Sequence, residues 1–140
     1  MTVSEAVINW LMTFEPGKCS KMKNIHTDMQ PAEVDAYSLV KEPIQNVKTF
    51  VTGKKVFTDH YMIRARLSSY EDADRIENNG FGETLEEWVR EQDRNKNFPQ
   101  IAGYNVKYIR TTTPFHVGRT ENNNSLYQMT ISIQYMKEGE

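Results

Sequence analysis

Cysteine is almost absent from this sequence: Cys19 is the only one among 140 residues. A single cysteine excludes a disulfide within the chain and any zinc site built from the chain's own cysteines. Long apolar runs are also lacking, since no stretch approaches the roughly 20 residues that cross a bilayer. The N-terminal segment is interrupted by Glu5 and Asn9 and follows no basic segment, so we expect no secretory signal. These absences favour a protein that works in the cytoplasm without a membrane partner.

An excess of charge of either sign is missing too. The chain carries 17 lysines and arginines against 19 aspartates and glutamates, a net charge of -2. No overall positive field therefore indicates nucleic acid. Hydrophobic residues make up 38% of the sequence, which is enough for one packed core in a chain of this length. Because no internal repeat or linker occurs, we predict a single domain over residues 1–140.

Motifs that carry catalysis or bind cofactors are also missing. His26, His60 and His116 fall in three different predicted elements, without the spacing of a shared metal site. No nucleophile elbow, Walker loop or dinucleotide-binding glycine motif occurs. We therefore predict no catalytic residue, no metal and no cofactor, and we expect a protein that is not an enzyme. A small enzyme would need a deep pocket with convergent groups of shifted pKa.

The predicted fold begins with a helix and continues with strands. Thr2 and Glu5 have the spacing of a capping box, apolar residues recur at helical intervals through Phe14, and Pro16 ends the helix. A loop with one short strand is predicted over 18–35. A short strand follows at 37–41. The segments 47–52 and 56–67 then predict a hairpin that turns at a glycine, with one face packed and the other wet.

A helical pair is predicted in the centre of the chain. The first helix begins near Ser69, and the segment 78–82 breaks it because two asparagines and two glycines favour turns. The second helix begins at Thr84 and turns Leu85 and Val89 inward. This order of elements predicts an α+β domain: a mainly antiparallel sheet flanked by the N-terminal helix and the central helical pair.

The last third predicts a hairpin with a long tip. Residues 104–112 are rich in β-branched and aromatic types, and residues 125–137 alternate apolar and polar side chains. The intervening tip is longer than ordinary hairpin loops, and such loops are usually functional or disordered. Its apolar residues are expected to be exposed, and its arginine can pair with a partner's carboxylate. The candidate oligomer or partner interface is Phe115, His116, Val117 and Arg119. A tip that folds back onto its own domain is the alternative.

Four short segments, taken together with this order of elements, resemble those of a known family. They are Lys-Glu-Pro-Ile at 41–44, Glu-Glu-Trp-Val at 86–89, Ile-Arg-Thr-Thr-Thr at 109–113 and Tyr-Gln-Met-Thr-Ile at 127–131. Over residues 4–137 the chain resembles the tail-terminator and minor-capsid proteins encoded near the sheath and tube genes of phages and prophages of Gram-positive bacteria. The resemblance rests on the order of the elements and the general character of the sequence, and no specific motif carries it.

The resemblance implies a structural role. Such a protein assembles as a hexameric ring on the last ring of tail-tube subunits, halts tail polymerisation and offers a surface to the head-tail connector. In a contractile tail it also engages the sheath. It belongs to the virion tail, which is assembled in the cytoplasm of the bacterial host. No catalytic residue is implied.

Two alternative functions remain open from the sequence. A head-completion or neck protein differs only in the side of the joint that it occupies. A small nucleic-acid-binding adaptor would use basic side chains, which could also face DNA in the lumen of a tail. The candidates on the predicted sheet are Arg64, Arg66, Lys107 and Arg110, and Lys18, Lys21 and Lys23 could add further phosphate contacts.

Overall fold

The computed structural model describes residues 2–14, 25–27, 36–121 and 123–137. The elements in these residues are α1 Val3–Leu11, β1 Ile25–Thr27, β2 Ala36–Thr49, β3 Lys55–Ser68, α2 Asp72–Arg94, β4 Tyr104–Glu121 and β5 Asn124–Lys137. The predicted α+β class is confirmed. Most of the loop predicted over 18–35, Cys19 included, lies outside the described residues. Of the helices just given, neither is long and apolar enough to cross a membrane.

The described strands form one sheet in the order β1-β2-β3-β5-β4. β2, β3, β5 and β4 pair in antiparallel fashion, and β1 joins the β2 edge in parallel. Ile63 in the central strand β3 lies between Leu39 and Met129, and all three are buried. The alternation predicted for β5 is confirmed, because its apolar set is buried: Tyr127, Met129, Ile131, Ile133 and Tyr135.

Helix α1 packs against α2 and the segment that follows it. Thr2 caps it by accepting a hydrogen bond from the backbone N–H of Glu5 at 3.1 Å, as its spacing predicts. The Trp10 indole donates to the Asn97 carbonyl at 2.7 Å, and its ring lies 4.6 Å from that of Trp88. Burial of side chains such as Trp10 stabilises the docked helix by about 1.5–3 kcal/mol each.

The predicted helical pair is wrong, because α2 is one helix from Asp72 to Arg94. Its N-cap is Glu71, two residues after Ser69. Two residues expected to break the helix instead pack within it. Asn78 is buried and donates to the Ser68 carbonyl at 2.7 Å. Gly82 is buried against Phe115, where a Cβ would lie only 2.9 Å from the Phe115 Cβ and closer still to its ring.

Two predicted strand boundaries also change. The short strand at 37–41 and the first hairpin arm are parts of one strand, β2, with a register shift between Lys41 and Gln45. Pro43 lies in this shift, where a missing N–H is tolerated. The hairpin turn at Gly53 is confirmed by its φ of 91°, since this conformation favours glycine.

The long tip predicted over 114–124 is wrong. β4 continues to Glu121, and β5 begins at Asn124. Register shifts between Thr111 and His116, and again between Val117 and Arg119, let the edge strand curve while it stays paired. Sequence reasoning missed this because bulges interrupt the alternation that identifies a strand.

Candidate interaction surfaces

The four predicted interface residues lie on β4, opposite 126–128 of β5. Phe115 is partly buried in its own domain: its ring stacks on Tyr127 at 5.2 Å and meets Phe81 edge-on at 5.8 Å. For this residue the packing follows the alternative in which the segment folds onto its own domain. Its role at an interface stays a prediction.

The other three predicted residues are exposed. His116 lies with Nδ1 2.7 Å from the Pro114 carbonyl. Arg119, expected to pair with a partner's carboxylate, pairs with one of its own chain, because its guanidinium lies 2.7 Å from the Glu121 carboxylate. Val117 remains the apolar candidate of this group, with 46% of its surface exposed.

A larger exposed apolar surface lies elsewhere, on the hairpin between β2 and β3. We call residues 43–56 the arm. Residues 43–53 are all exposed, and the large apolar side chains among them are Ile44, Val47, Phe50 and Val51. The turn is closed by hydrogen bonds from Phe50 N–H to the Lys54 carbonyl at 2.8 Å and from Gly53 N–H to the Phe50 carbonyl at 2.9 Å. The arm is therefore a well-formed element that presents apolar side chains to solvent.

A buried polar cluster holds the base of the arm. Asp59 is fully buried and accepts from Tyr135 Oη at 2.8 Å and from Gln45 Nε2 at 2.5 Å. Lys41 Nζ lies 4.0 Å from the same carboxylate. Burial, together with the hydrogen bond and the charge of Asp59, raises the pKa of Tyr135 well above its usual value. Because Gln45 immediately follows the register shift, the cluster fixes the strand where the arm leaves the core.

An apolar pocket opens beside α1. Its volume is about 270 Å³, and its walls come from α1 and from the segment after α2. The lining residues are Ala6, Asn9, Trp10, Thr13, Phe98, Pro99 and Gln100. No arm residue is among them, so the pocket and the arm are separate features of one chain.

The β4 edge of the sheet is closed by α2. Asp93 accepts from the Ile109 N–H at 3.1 Å, and Glu86 accepts from the Phe115 N–H at 2.5 Å. Pro114 lies between Ile109 and Phe115 on β4 and has no N–H to donate. Carboxylates and proline on an edge strand prevent pairing with another chain. Glu86 and Asp93 therefore protect part of this edge.

The basic residues do not form one stripe. Arg64 pairs with Gln128 and Arg110 with Ser132, four residues apart on β5, which is about 13 Å at the rise of a strand. Arg66 lies 3.5 Å from Glu121, and Arg110 lies 3.5 Å from Asp93. Two of the four candidates are thus engaged with carboxylates of this chain.

One pair resembles part of a catalytic arrangement. His60 Nδ1 lies 2.8 Å from Ser132 Oγ, and its Nε2 lies 3.4 Å from Asn46 Nδ2. These side chains lie on the sheet face opposite the buried apolar residues of β3 and β5, and none of them lines the apolar pocket beside α1. An activated serine needs an oriented base and donors for an oxyanion, and this cross-strand contact supplies neither a carboxylate on the imidazole nor a substrate pocket.

Neither a metal cluster nor a known relative indicates a further site among the described residues. Among residues 2–14, 25–27, 36–121 and 123–137, no group of three or more histidine, cysteine, aspartate or glutamate side chains could hold a metal ion. No protein-family model matches the chain, and no curated protein matches it. Among the described residues, the exposed arm is a surface that can support an assignment.

Proposed function

We propose that this chain is a structural subunit that assembles into a ring and caps a phage tail tube. In this role the ring stops tail polymerisation and joins the tail to the head-side connector, and in a contractile tail it also contacts the sheath. One observation carries the proposal: apolar side chains are concentrated on the projecting arm. Contiguous exposed apolar surface usually marks a protein-protein contact.

The distribution of surfaces supports assembly in one direction. The β4 edge is closed by Glu86, Asp93 and Pro114, which disfavours random strand pairing there. The arm offers a contact at the opposite side of the sheet. A ring subunit needs two different lateral patches together with faces for other partners. The resemblance to tail-terminator proteins gives this general assembly its specific context.

Nucleic-acid binding is less well supported. Arg66 and Arg110 lie near carboxylates of this chain, and the net charge is -2. A protein that neutralises several phosphates shows a steep loss of affinity with salt. Titration of labelled duplex DNA at low and moderate salt therefore separates the adaptor function from the structural one.

The proposal is tested by the mass and shape of the purified protein. We expect light scattering after size exclusion to give a multiple of the 16.3 kDa chain mass, and negative-stain images to show closed rings. Mixed with the tail-tube subunit of the same genome, the protein should limit tube length and cap one end. A monomer at all concentrations that leaves tubes growing freely would exclude the terminator role.

A further inference from the structure

The end of the arm is apolar, and its cations lie directly beside and behind it. Phe50 and Val51 form this end, which we call the apex, and Val51 is fully exposed. Lys54 closes the turn, because its carbonyl accepts from the Phe50 N–H, and Lys55 and Lys48 follow in the next two rows of the hairpin. We propose that the apex inserts into the headgroup region of an anionic lipid bilayer and that these lysines bind the lipid phosphates.

The arm carries charge of one sign. Between Glu42 and Asp59 the sequence holds three lysines and no acidic residue. The Asp59 carboxylate is fully buried and accepts from Gln45 and Tyr135, so it is held inside the protein. Lysines beside a membrane are attracted to the negative surface potential of anionic lipids. The arm therefore complements such a surface, although the net charge of the chain is -2.

Two carboxylates near the base of the arm lie well behind its apex. Asp93 accepts from the Ile109 N–H. Ile109 and Asp59 both pair with Ile133, so the two carboxyl groups share one level of the sheet. Five residues separate this level from Lys54, about 17 Å at the rise of a strand. That distance is about twice the Debye length of roughly 8 Å at physiological ionic strength, so these carboxylates do not repel phosphates at the apex.

The depth of the lysines matches the layers of a bilayer. Lys54 lies level with Phe50, and Lys48, the furthest of the three lysines, lies two rows behind, about 7 Å at the rise of a strand. Interfacial segments bury their apolar side chains about 5–10 Å into the boundary between headgroups and acyl chains. With the apex at that depth, the lysines lie at the level of the phosphates. The Lys48 ammonium group also lies 5.4 Å from the centre of the Phe50 ring, so one cation is held beside the apex.

Duplex DNA is another acidic partner, but it fits the apex less well. DNA presents its phosphates at the outside and accepts an apolar side chain only as a wedge between bases, which must be unstacked. A bilayer accepts the two adjacent apolar side chains, Phe50 and Val51, without that cost, because its apolar layer lies directly beneath the phosphates. The order of apolar and cationic side chains along the arm therefore favours the bilayer.

A bilayer contact goes beyond the proposed function. The absence of a spanning segment led us to expect no membrane partner, but a contact with the bilayer surface needs no such segment. The proposed ring and the bilayer use the same arm, so lipid and assembly exclude one another there. Vesicle binding is therefore measured on the purified full chain without other proteins. This chain keeps its C-terminal Glu138 and Glu140, which lie outside the described residues, so their charge is included.

The first test measures co-sedimentation of the full chain with vesicles at low and moderate salt. Vesicles of phosphatidylcholine and phosphatidylglycerol in equal parts should bind it about tenfold more tightly, or better, than vesicles of phosphatidylcholine alone, because the lysines need anionic phosphates. Higher salt should weaken this binding. Equal affinity for both kinds of vesicle, or no binding to either, would overturn the proposal.

The second test removes the cations of the arm. Lys54→Gln/Lys55→Gln should weaken binding to the anionic vesicles about 30-fold, since each lysine near an anionic surface contributes about fivefold. Arg90→Gln/Arg94→Gln removes the same charge from exposed positions of α2 and should bind like the wild type. Circular dichroism checks that both variants keep the fold.

The third test concerns the apolar apex. Val51→Ser should weaken vesicle binding about tenfold, whereas Ile76→Ser, at an exposed residue of α2, should not. Val51→Trp places a fluorophore at the apex. With anionic vesicles that contain brominated acyl chains, its emission should be quenched beyond any quenching of Trp10 and Trp88 in the wild type.

The outcomes separate the bilayer contact from the proposed ring. Rings formed by a chain that binds no vesicle would leave the ring function standing and reject the bilayer contact. Vesicle binding by a chain that stays monomeric and caps no tube would do the reverse. Vesicle binding that folded Lys54→Gln/Lys55→Gln and Val51→Ser leave unchanged would overturn the role of the arm. Duplex DNA bound through the arm of a chain that binds no vesicle would assign the arm to nucleic acid instead.

Discussion

Gly80 and Gly82 lie two residues apart in α2, yet a methyl group added at each meets different surroundings. At Gly80 nothing lies within 4 Å of the new Cβ. At Gly82 the new Cβ lies 2.9 Å from the Phe115 Cβ and closer to its ring. Phe115 cannot simply turn away, because its ring stacks on Tyr127 on the other side. The pair of glycines therefore tests how tightly α2 packs on β4.

The expected effects have opposite signs. Alanine exceeds glycine by about 0.8–1.0 kcal/mol in a helix interior, so Gly80→Ala should stabilise the protein by about 1 kcal/mol. Gly82→Ala gains the same helix propensity, but its methyl group overpacks the contact with Phe115. Such overpacking typically costs about 1–3 kcal/mol and occasionally more. Because the contact includes the Phe115 Cβ, which a change of rotamer cannot move, we expect a net loss of about 1–2 kcal/mol.

Thermal and urea unfolding measure the difference directly. For a domain of this size 1 kcal/mol corresponds to about 3–4 °C in Tm, so the two variants should differ by several degrees. Phe115→Ala should reduce the penalty of Gly82→Ala, because it removes the ring contacts but leaves the Cβ contact at 2.9 Å, and a double-mutant cycle isolates the share of the ring. If Gly82→Ala stabilises as much as Gly80→Ala, β4 does not lie against α2 as described.

Two further predictions concern the polar contacts. Tyr135→Phe should lower the free energy of unfolding by about 1.5–3 kcal/mol, because the hydrogen bond to a charged group is lost. Since the folded-state pKa of Tyr135 is raised above its usual 10.0, its stabilising effect is complete below that pH and is lost as the pH rises through the raised value. The gap between wild type and Tyr135→Phe in urea unfolding should therefore shrink at alkaline pH, and a constant gap would contradict the cluster. The Glu86→Ala/Asp93→Ala variant, made in a Val51→Ser background, should increase light scattering by exposing the β4 edge. Unchanged scattering would show that these carboxylates do not protect it.

The regular elements could be predicted because their local patterns agree with their tertiary environment. β5 alternates without interruption, and the helical stripe of α1 is the face that packs. The turn at Gly53 has a positive φ, and the glycine at this position predicts that conformation. In β5 and α1 the pattern of apolar residues leaves only one choice of the face that turns toward the core.

The continuous helix α2 could not be predicted from propensity. Asparagine and glycine disfavour a helix locally, but Asn78 finds buried partners and Gly82 admits Phe115. Phe115 comes from the distant strand β4, and Asn78 bonds to Tyr127 of β5 as well as to the nearby Ser68, so tertiary packing overrides the local preference. The same contact explains why Phe115 belongs to a strand, although its neighbourhood resembles a loop.

The exposed apolar surface of the arm was not predicted, for a related reason. Exposed apolar residues were expected at 115–119 because that segment looked like a loop, whereas Val47 and Phe50 looked like ordinary strand residues. Val47 lies on β2 opposite Phe57, and Phe50 lies at the turn; the sequence alone does not show that these positions stay uncovered. The usable signal was charge: the three lysines between Glu42 and Asp59 indicate a solvated segment, because lysine is almost never fully buried.

The contrast between the two sides of the sheet bears on how the protein can assemble. On β4, carboxylates from α2 occupy backbone donors and a proline interrupts the edge, so association through main-chain hydrogen bonds is suppressed there. On the arm the polar base is satisfied by Asp59, while the tip leaves apolar side chains without cover. The proposed assembly therefore uses side-chain contacts of the arm rather than main-chain pairing at β4. A chain that closes one edge and projects an apolar tip from the other can add copies in order, which a ring of fixed size requires.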